Sequence, residues 1–243
     1  SWHEVTVLRA YAKYLRQGGM RFSEDYVQRV LRSNPAITRL LIRLFESWFD
    51  PARRSGAAER CEAITEEIRG QLDEVTILDH DRILRSYLAL IDATLRTSYY
   101  RPGGGPGPKP LVLKLDPGSV PGLASPRPKF EIFVYSPRLE AVHLRFGRVA
   151  RGGLRWSDRL EDFRTEVLGL VKAQEVKNAV IVPSGAKGGF VCKRLPDQAD
   201  RDAYHGEVLA CYRTFIAAML DVTGPAPVLH VLDGGPGFQH LPK

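Results

Sequence analysis

The sequence predicts an α+β protein in which an all-helical N-terminal region is followed by a layered α/β domain. Three observations predict it. Apolar residues recur at helical spacing through residues 1 to about 100. The stretch RPGGGPGPKP at 101–110 then places four glycines and four prolines where regular structure is hard to form. Beyond Leu111 the pattern changes to short strand-like runs interleaved with helical ones.

The helical half is carried by Val7, Leu8, Tyr11, Tyr14 and Leu15, by Ile37, Leu40, Leu41, Leu44, Phe45 and Trp48, and by Ile83, Leu84, Tyr87, Leu88 and Ile91. Gly18-Gly19 stops the first helix, Asn34-Pro35 opens another and Asp50-Pro51 closes it, because proline fits a first helical turn and breaks a later one. Residues 101–128 read as a Pro/Gly-rich linker holding one strand, LVLKL at 111–115. FEIFVYS at 130–136 and AVHLRFG at 141–147 are further strands. A helix follows in WSDRLEDFRTEVLGLVKAQEVKNA, with Asp158 and Glu161 as a capping-box pair and Phe163, Val167 and Leu170 on one stripe. Strands at 179–183 and 189–193 and a helix at about 200–222 complete the domain, and no internal repeat is present.

Composition narrows the classes of function. At 243 residues, with 44% hydrophobic and 26% charged, the chain has enough apolar surface for a core. No apolar run reaches the roughly 18–20 residues of a membrane helix, and SWHEVTVLRA lacks the plan of a signal peptide, so a cytoplasmic protein without a membrane partner is expected. Cys61, Cys192 and Cys211 are odd in number and lack CxxC spacing; they read as buried thiols rather than disulfides or zinc ligands. The net charge of +7, from 35 Lys+Arg against 28 Asp+Glu, suits an anionic partner. The arginines are scattered and not interleaved with aromatics, which argues against nucleic acid and leaves a solvated basic face or a pocket for a small carboxylate.

Candidate chemistry rests on a few cations. In RGGLR, Arg151 and Arg155 flank Gly152 and Gly153, whose small size lets a ligand approach the backbone between two guanidinium groups. Lys177 lies about 40° around the helix from Phe163, on the apolar stripe, and Lys172 falls near the opposite face. Lys177 is open to two readings, a ligand-binding cation or a snorkelling lysine at a helix end. Lys187 lies in VPSGAKGGF, where Ser184-Gly185 turns the chain and Gly188-Gly189 leaves space. An amine crowded by cations and partly desolvated loses basicity, as proton transfer requires; the alternative is a glycine-rich turn whose lysine points to water. GAKGG is not a P-loop, and no strand–GxGxxG–helix unit occurs.

Taken together, ARGGLRW, LGLVKAQEVKNAVIVPSGAKGGF, YAKYLRQGG, FEIFVYSPRLEAVHLRFGRVARGGLRWSDRLEDFRTEVLGLVKAQEVKNAVIVPSGAKGGF and CYRTFIAAMLDVTG resemble the glutamate/leucine/phenylalanine dehydrogenases. Among these the resemblance is closest to the very large bacterial NAD-specific glutamate dehydrogenases, and it spans nearly the whole chain. It implies that residues 129–224 are a substrate-binding part acting on glutamate and 2-oxoglutarate, in a homo-oligomer when full length. Lys187 matches the family's catalytic lysine, and Lys177 the lysine that binds the substrate α-carboxylate. Arg151 stands where many smaller members have a lysine for the side-chain carboxylate, and Gly152 and Gly153 line the same pocket. NAD is the implied cofactor, with no metal. The family's catalytic aspartate and nucleotide-binding domain have no match here, and the tail at 225–243, with Asp233, aligns with nothing. The expectation is therefore an internal fragment, inactive alone; a non-catalytic basic interaction module that keeps the fold is the alternative.

Overall fold

A computed structural model describes residues 1–101, 109–147, 152–178 and 185–223, the side chains of 174–178 excepted. Five helices come first: α1 (Trp2–Gln17), α2 (Glu24–Ser33), α3 (Pro35–Phe49), α4 (Ala57–Asp73) and α5 (Leu78–Ala93). Their ends follow local chemistry. The Ser1 and Ser23 hydroxyls accept from the backbone N–H groups of Glu4 and Tyr26, Pro35 occupies the first turn of α3, and Gly18 caps α1. The expected punctuation at Gly18, Asn34-Pro35 and Asp50-Pro51 is thus where helices end and begin.

A six-stranded sheet follows, made of β1 (Thr94–Thr97), β2 (Leu111–Leu115), β3 (Phe130–Tyr135), β4 (Leu139–Arg145), β5 (Leu154–Trp156) and β6 (Ala186–Cys192). Their order in the sheet is β1-β2-β3-β4-β6-β5, antiparallel throughout except for the parallel pair β5/β6. That pair is joined through α6 (Phe163–Asn178), and α7 (Arg201–Thr223) comes last. Helices α1 to α6 cover one face of the sheet: Tyr11, Tyr14, Leu41, Phe45, Ile83 and Tyr87 share a single buried cluster with Leu113, Phe133, Val142, Phe163 and Val171. The opposite face packs Val112, Ile132, Val134, Ala141 and Phe190 under Cys211, Phe215, Ala218 and Val222 of α7.

The structure departs from the sequence reading in five places, the first being β5, where no strand was expected. Residues 94–97, read as helical, form β1; the β-branched Thr94 and Thr97 end α5 and pair with β2. The strand placed at 189–193 begins at Ala186, so Lys187 lies inside β6 rather than in a turn before it. The helix opened at Asp158 begins instead at Phe163. In between, Arg159 pairs with Asp162 and the Ser157 hydroxyl accepts from the Arg159 N–H, a turn that outcompetes the capping box. Leu170 is half-buried, and the stripe on the sheet is Phe163, Val167, Leu168 and Val171. The strand expected at 179–183 and the tail at 225–243 lie outside the described residues. Among the described residues no helix is long and apolar enough to cross a membrane, and no cluster of His, Cys, Asp or Glu could hold a metal. Cys61 and Cys211 are buried and Cys192 is half-buried, all as free thiols.

Candidate functional site

Lys187 is the second residue of β6 and stands opposite Leu144 on β4. Following the register, Leu115, Glu131, Leu144 and Lys187 form one row on the helical face of the sheet. The Lys187 side chain is half-buried, and no carboxylate among the described residues lies within ion-pairing distance of it. A strand fixes the direction of such a side chain far better than a loop does.

The Gly152-Gly153 segment lies against this position. A Cβ on Gly152 would stand 1.4 Å from the carbonyl oxygen of Ala186, so only glycine lets the two backbones approach here. The Gly188 N–H donates to the Gly153 carbonyl at 3.2 Å, and that of Phe146 to Gly185 at 3.2 Å. The glycines after Lys187 behave otherwise than the sequence suggested. A Cβ on Gly188 would meet Leu154 Cδ2 at 2.3 Å, and one on Gly189 would meet Val167 Cγ2 at 2.4 Å. The space those glycines leave is filled by the protein's own side chains. They are required for packing β5 and α6 against β6 and do not hold a cavity open beside Lys187.

Helix α6 packs along β6 on the same face, its Phe163, Val167 and Val171 buried against the sheet. Lys177 is in its last turn; its side chain lies outside the described residues, as does the whole of Arg151. Lys172 is exposed, as its helical phase predicts. Arg155 is engaged: its Nε lies 3.0 Å from Glu166 Oε1, and the Ser157 hydroxyl donates to Glu166 Oε2 at 2.5 Å. The structure therefore brings Gly152, Gly153 and Lys187 together, with the end of α6 approaching along the strand.

The sequence reading missed a buried network on this face. Arg164 on α6 donates through Nε and Nη2 to the two carboxylate oxygens of Glu131 on β3, each at 2.7 Å, and both side chains are essentially inaccessible. Tyr14 of α1 adds its hydroxyl to Glu131 Oε2 at 3.1 Å; Gln17 accepts from the Arg164 N–H and donates to the Leu160 carbonyl. Burial, with the negative Glu131 beside it, holds the Tyr14 phenol far above its ordinary range. The bidentate pair fixes α1, β3 and α6 in register behind Lys187. A signal for it did exist, since Glu131 falls on the inward phase of β3 and Arg164 adjoins the apolar stripe of α6. A charge at a core phase in two elements invites pairing.

Comparison with known proteins identifies the class. Residues 67–231 match the family described as bacterial NAD-glutamate dehydrogenase, catalytic domain, and residues 1–51 match glutamate dehydrogenase, helical motif 3. The chain belongs to this bacterial NAD-glutamate dehydrogenase family. It is 60% identical over 225 residues to the NAD-specific glutamate dehydrogenase of Halomonas elongata and 55% identical over 226 residues to that of Pseudomonas aeruginosa; each match covers 91% of this chain and 14% of the relative. A protein of the same name from Neurospora crassa is 26% identical over 243 residues, covering 90% of this chain and 21% of its own length. The chain thus spans about a seventh of the length of its bacterial relatives.

Proposed function

We propose that this chain supplies the substrate-binding part, with the catalytic lysine, of an NAD-dependent glutamate dehydrogenase of the cytoplasm that converts L-glutamate to 2-oxoglutarate and ammonia. The observation that carries the reading is the position of Lys187: a half-buried amine without a carboxylate partner among the described residues, on a rigid strand, beside the closely approached backbone of Gly152-Gly153. In this reading Lys187 takes the proton from the water that adds to the imine carbon and returns it to the nitrogen that leaves as ammonia. Lys177 binds the α-carboxylate, and Arg151, next to Gly152, binds the side-chain carboxylate. Two fixed cations at separate points orient a dicarboxylate without restricting the amino carbon between them.

NAD, when bound, accepts the hydride. The described residues do not fit it. The unit β5–α6–β6 is a parallel strand–helix–strand crossover, the arrangement that seats a pyrophosphate at a helix N-terminus when its turn is glycine-rich. Here the turn is Ser157-Asp158-Arg159-Leu160-Glu161-Asp162, without a glycine to let its backbone approach a pyrophosphate, and its Arg159 is taken up by Asp162. We place the dinucleotide seat elsewhere in the full-length polypeptide.

The test is Lys187→Ala in the full-length dehydrogenase. General acid–base assistance is worth about 10²–10⁴-fold, and kcat for glutamate oxidation should fall by that order with an unchanged circular dichroism spectrum. A variant that keeps its kcat removes Lys187 from the mechanism.

A further inference from the structure

The sheet face opposite Lys187 carries a second group of cations. The register aligns Arg96 on β1, Lys114 on β2, Ile132 on β3 and His143 on β4 in one row, with Phe130 and Arg145 in the next. Ile132 is the edge of the apolar patch under α7, and Arg96, Lys114, Phe130, His143 and Arg145 are half-buried around it. Lys114 Nζ sits 4.9 Å from the centroid of the Phe130 ring, with Lys129 Nζ at 5.8 Å from it. Among the described residues, none of Arg96, Lys114, Lys129 and Arg145 has a carboxylate within ion-pairing distance. Arg96 reaches only the Val222 carbonyl, at 3.4 Å, and Arg145 only that of Gly147, at 2.7 Å. Asp221 is committed to Arg101, and Asp116, two residues beyond Lys114, to the Gly118 N–H and the Ser119 hydroxyl.

Such an arrangement is unfavourable by itself. Burial, then the Arg96 and Arg145 charges, lower the Lys114 amine to about 8, and burial with Arg145 lowers His143 to about 4. Like charges gathered at a half-buried site cost stability unless a counter-ion joins them, as Glu131 joins Arg164 and Glu140 joins Lys193 at 2.9 Å. We propose that Arg96, Lys114 and Arg145 form a binding site for a phosphate-type dianion, on the face of the sheet opposite Lys187. Two guanidinium groups and one ammonium on one face offer more donors and charge than a carboxylate can match, which favours the doubly charged, oxygen-richer phosphate.

The test titrates the 243-residue chain with inorganic phosphate by calorimetry at constant ionic strength, with chloride as the control and succinate as a dicarboxylate comparison. Saturable phosphate binding is expected. Loss of one charge-assisted contact should weaken it about tenfold in Lys114→Met, whereas Lys187→Ala, which alters only the other face, should bind as the parent does. Circular dichroism checks that each variant folds; Lys114→Arg, which keeps the charge, should retain binding. In the parent, NMR titration of the Lys114 side chain should move up from about 8 when phosphate is present. The proposal is overturned if phosphate shows no saturation beyond chloride, if succinate binds better, if Lys114→Met binds as tightly as the parent, or if binding disappears in Lys187→Ala.

Discussion

Lys114 and Lys187 show how much a residue's face decides. They point to opposite sides of one sheet, and Lys114 carries the cost of standing beside Arg96 and Arg145. Below pH 8 Lys114 is charged in both folded and unfolded chains, so the folded state bears the full penalty. Between about 8 and the ordinary lysine value of about 10.4 the unfolded chain holds more protons, and stability rises with pH as the penalty disappears. Lys114→Met should therefore be more stable than the parent at pH 7, with the difference shrinking steadily towards pH 10.5; urea midpoints across that range measure it, and a pH-independent difference would reject the assignment. The two proposed carboxylate binders separate by substrate. In the full-length enzyme Arg151→Leu should lose kcat/KM for glutamate much more than for norvaline, because only glutamate has the second carboxylate. Lys177→Ala should lose both alike. Equal losses in Arg151→Leu would remove it from the side-chain carboxylate.

Among the elements, α6 is held by means that periodicity does not reveal. Its apolar stripe gives it a face, but Arg164 fixes its register against β3 and α1 through Glu131, Tyr14 and Gln17. Breaking a buried pair strands the remaining charge, at about 3–5 kcal/mol, so Arg164→Ala should lower the unfolding free energy by that amount. Replacing both partners, Arg164→Met with Glu131→Leu, should restore much of it. A denaturant-melt cycle checks this, and additive losses would mean that the two side chains act independently. The strands were legible where alternation or apolar runs were strong, as in β2, β3 and β4. β5 was not, because three residues with Arg155 in the middle carry no period, and α6 was opened five residues early because a side-chain turn imitates a cap. The start of β6 was obscured by its own glycines, which weaken strand propensity; Leu154 and Val167 fill the space their side chains would have taken.

At the scale of the whole molecule, the helices that looked like a separate bundle share one core with the sheet, since Tyr14 and Phe133 meet edge to face at 5.5 Å and Tyr11 reaches the Thr94 hydroxyl at 2.8 Å. Periodicity told which residues are buried but not against what, so the union of the two halves was beyond it. The family was legible because RGGLR, VKNA and GAKGG are chemical signatures rather than patterns of burial, and the match over residues 67–231 agrees with them. One consequence concerns the chain by itself. With a core on each face of the sheet and a buried Arg164–Glu131 pair it should fold, yet among the described residues it offers no glycine turn for a pyrophosphate, and the β5–α6–β6 crossover opens through a turn without glycine. The 243-residue chain should therefore give a cooperative thermal transition, no reduction of NAD with glutamate, and at most weak affinity for 2-oxoglutarate, because Lys187 is only half-buried and water screens its charge. Calorimetric titrations with NAD and with 2-oxoglutarate check this. Saturable NAD binding in the micromolar range would show that a nucleotide seat lies within these residues, and would overturn its placement elsewhere in the full-length enzyme.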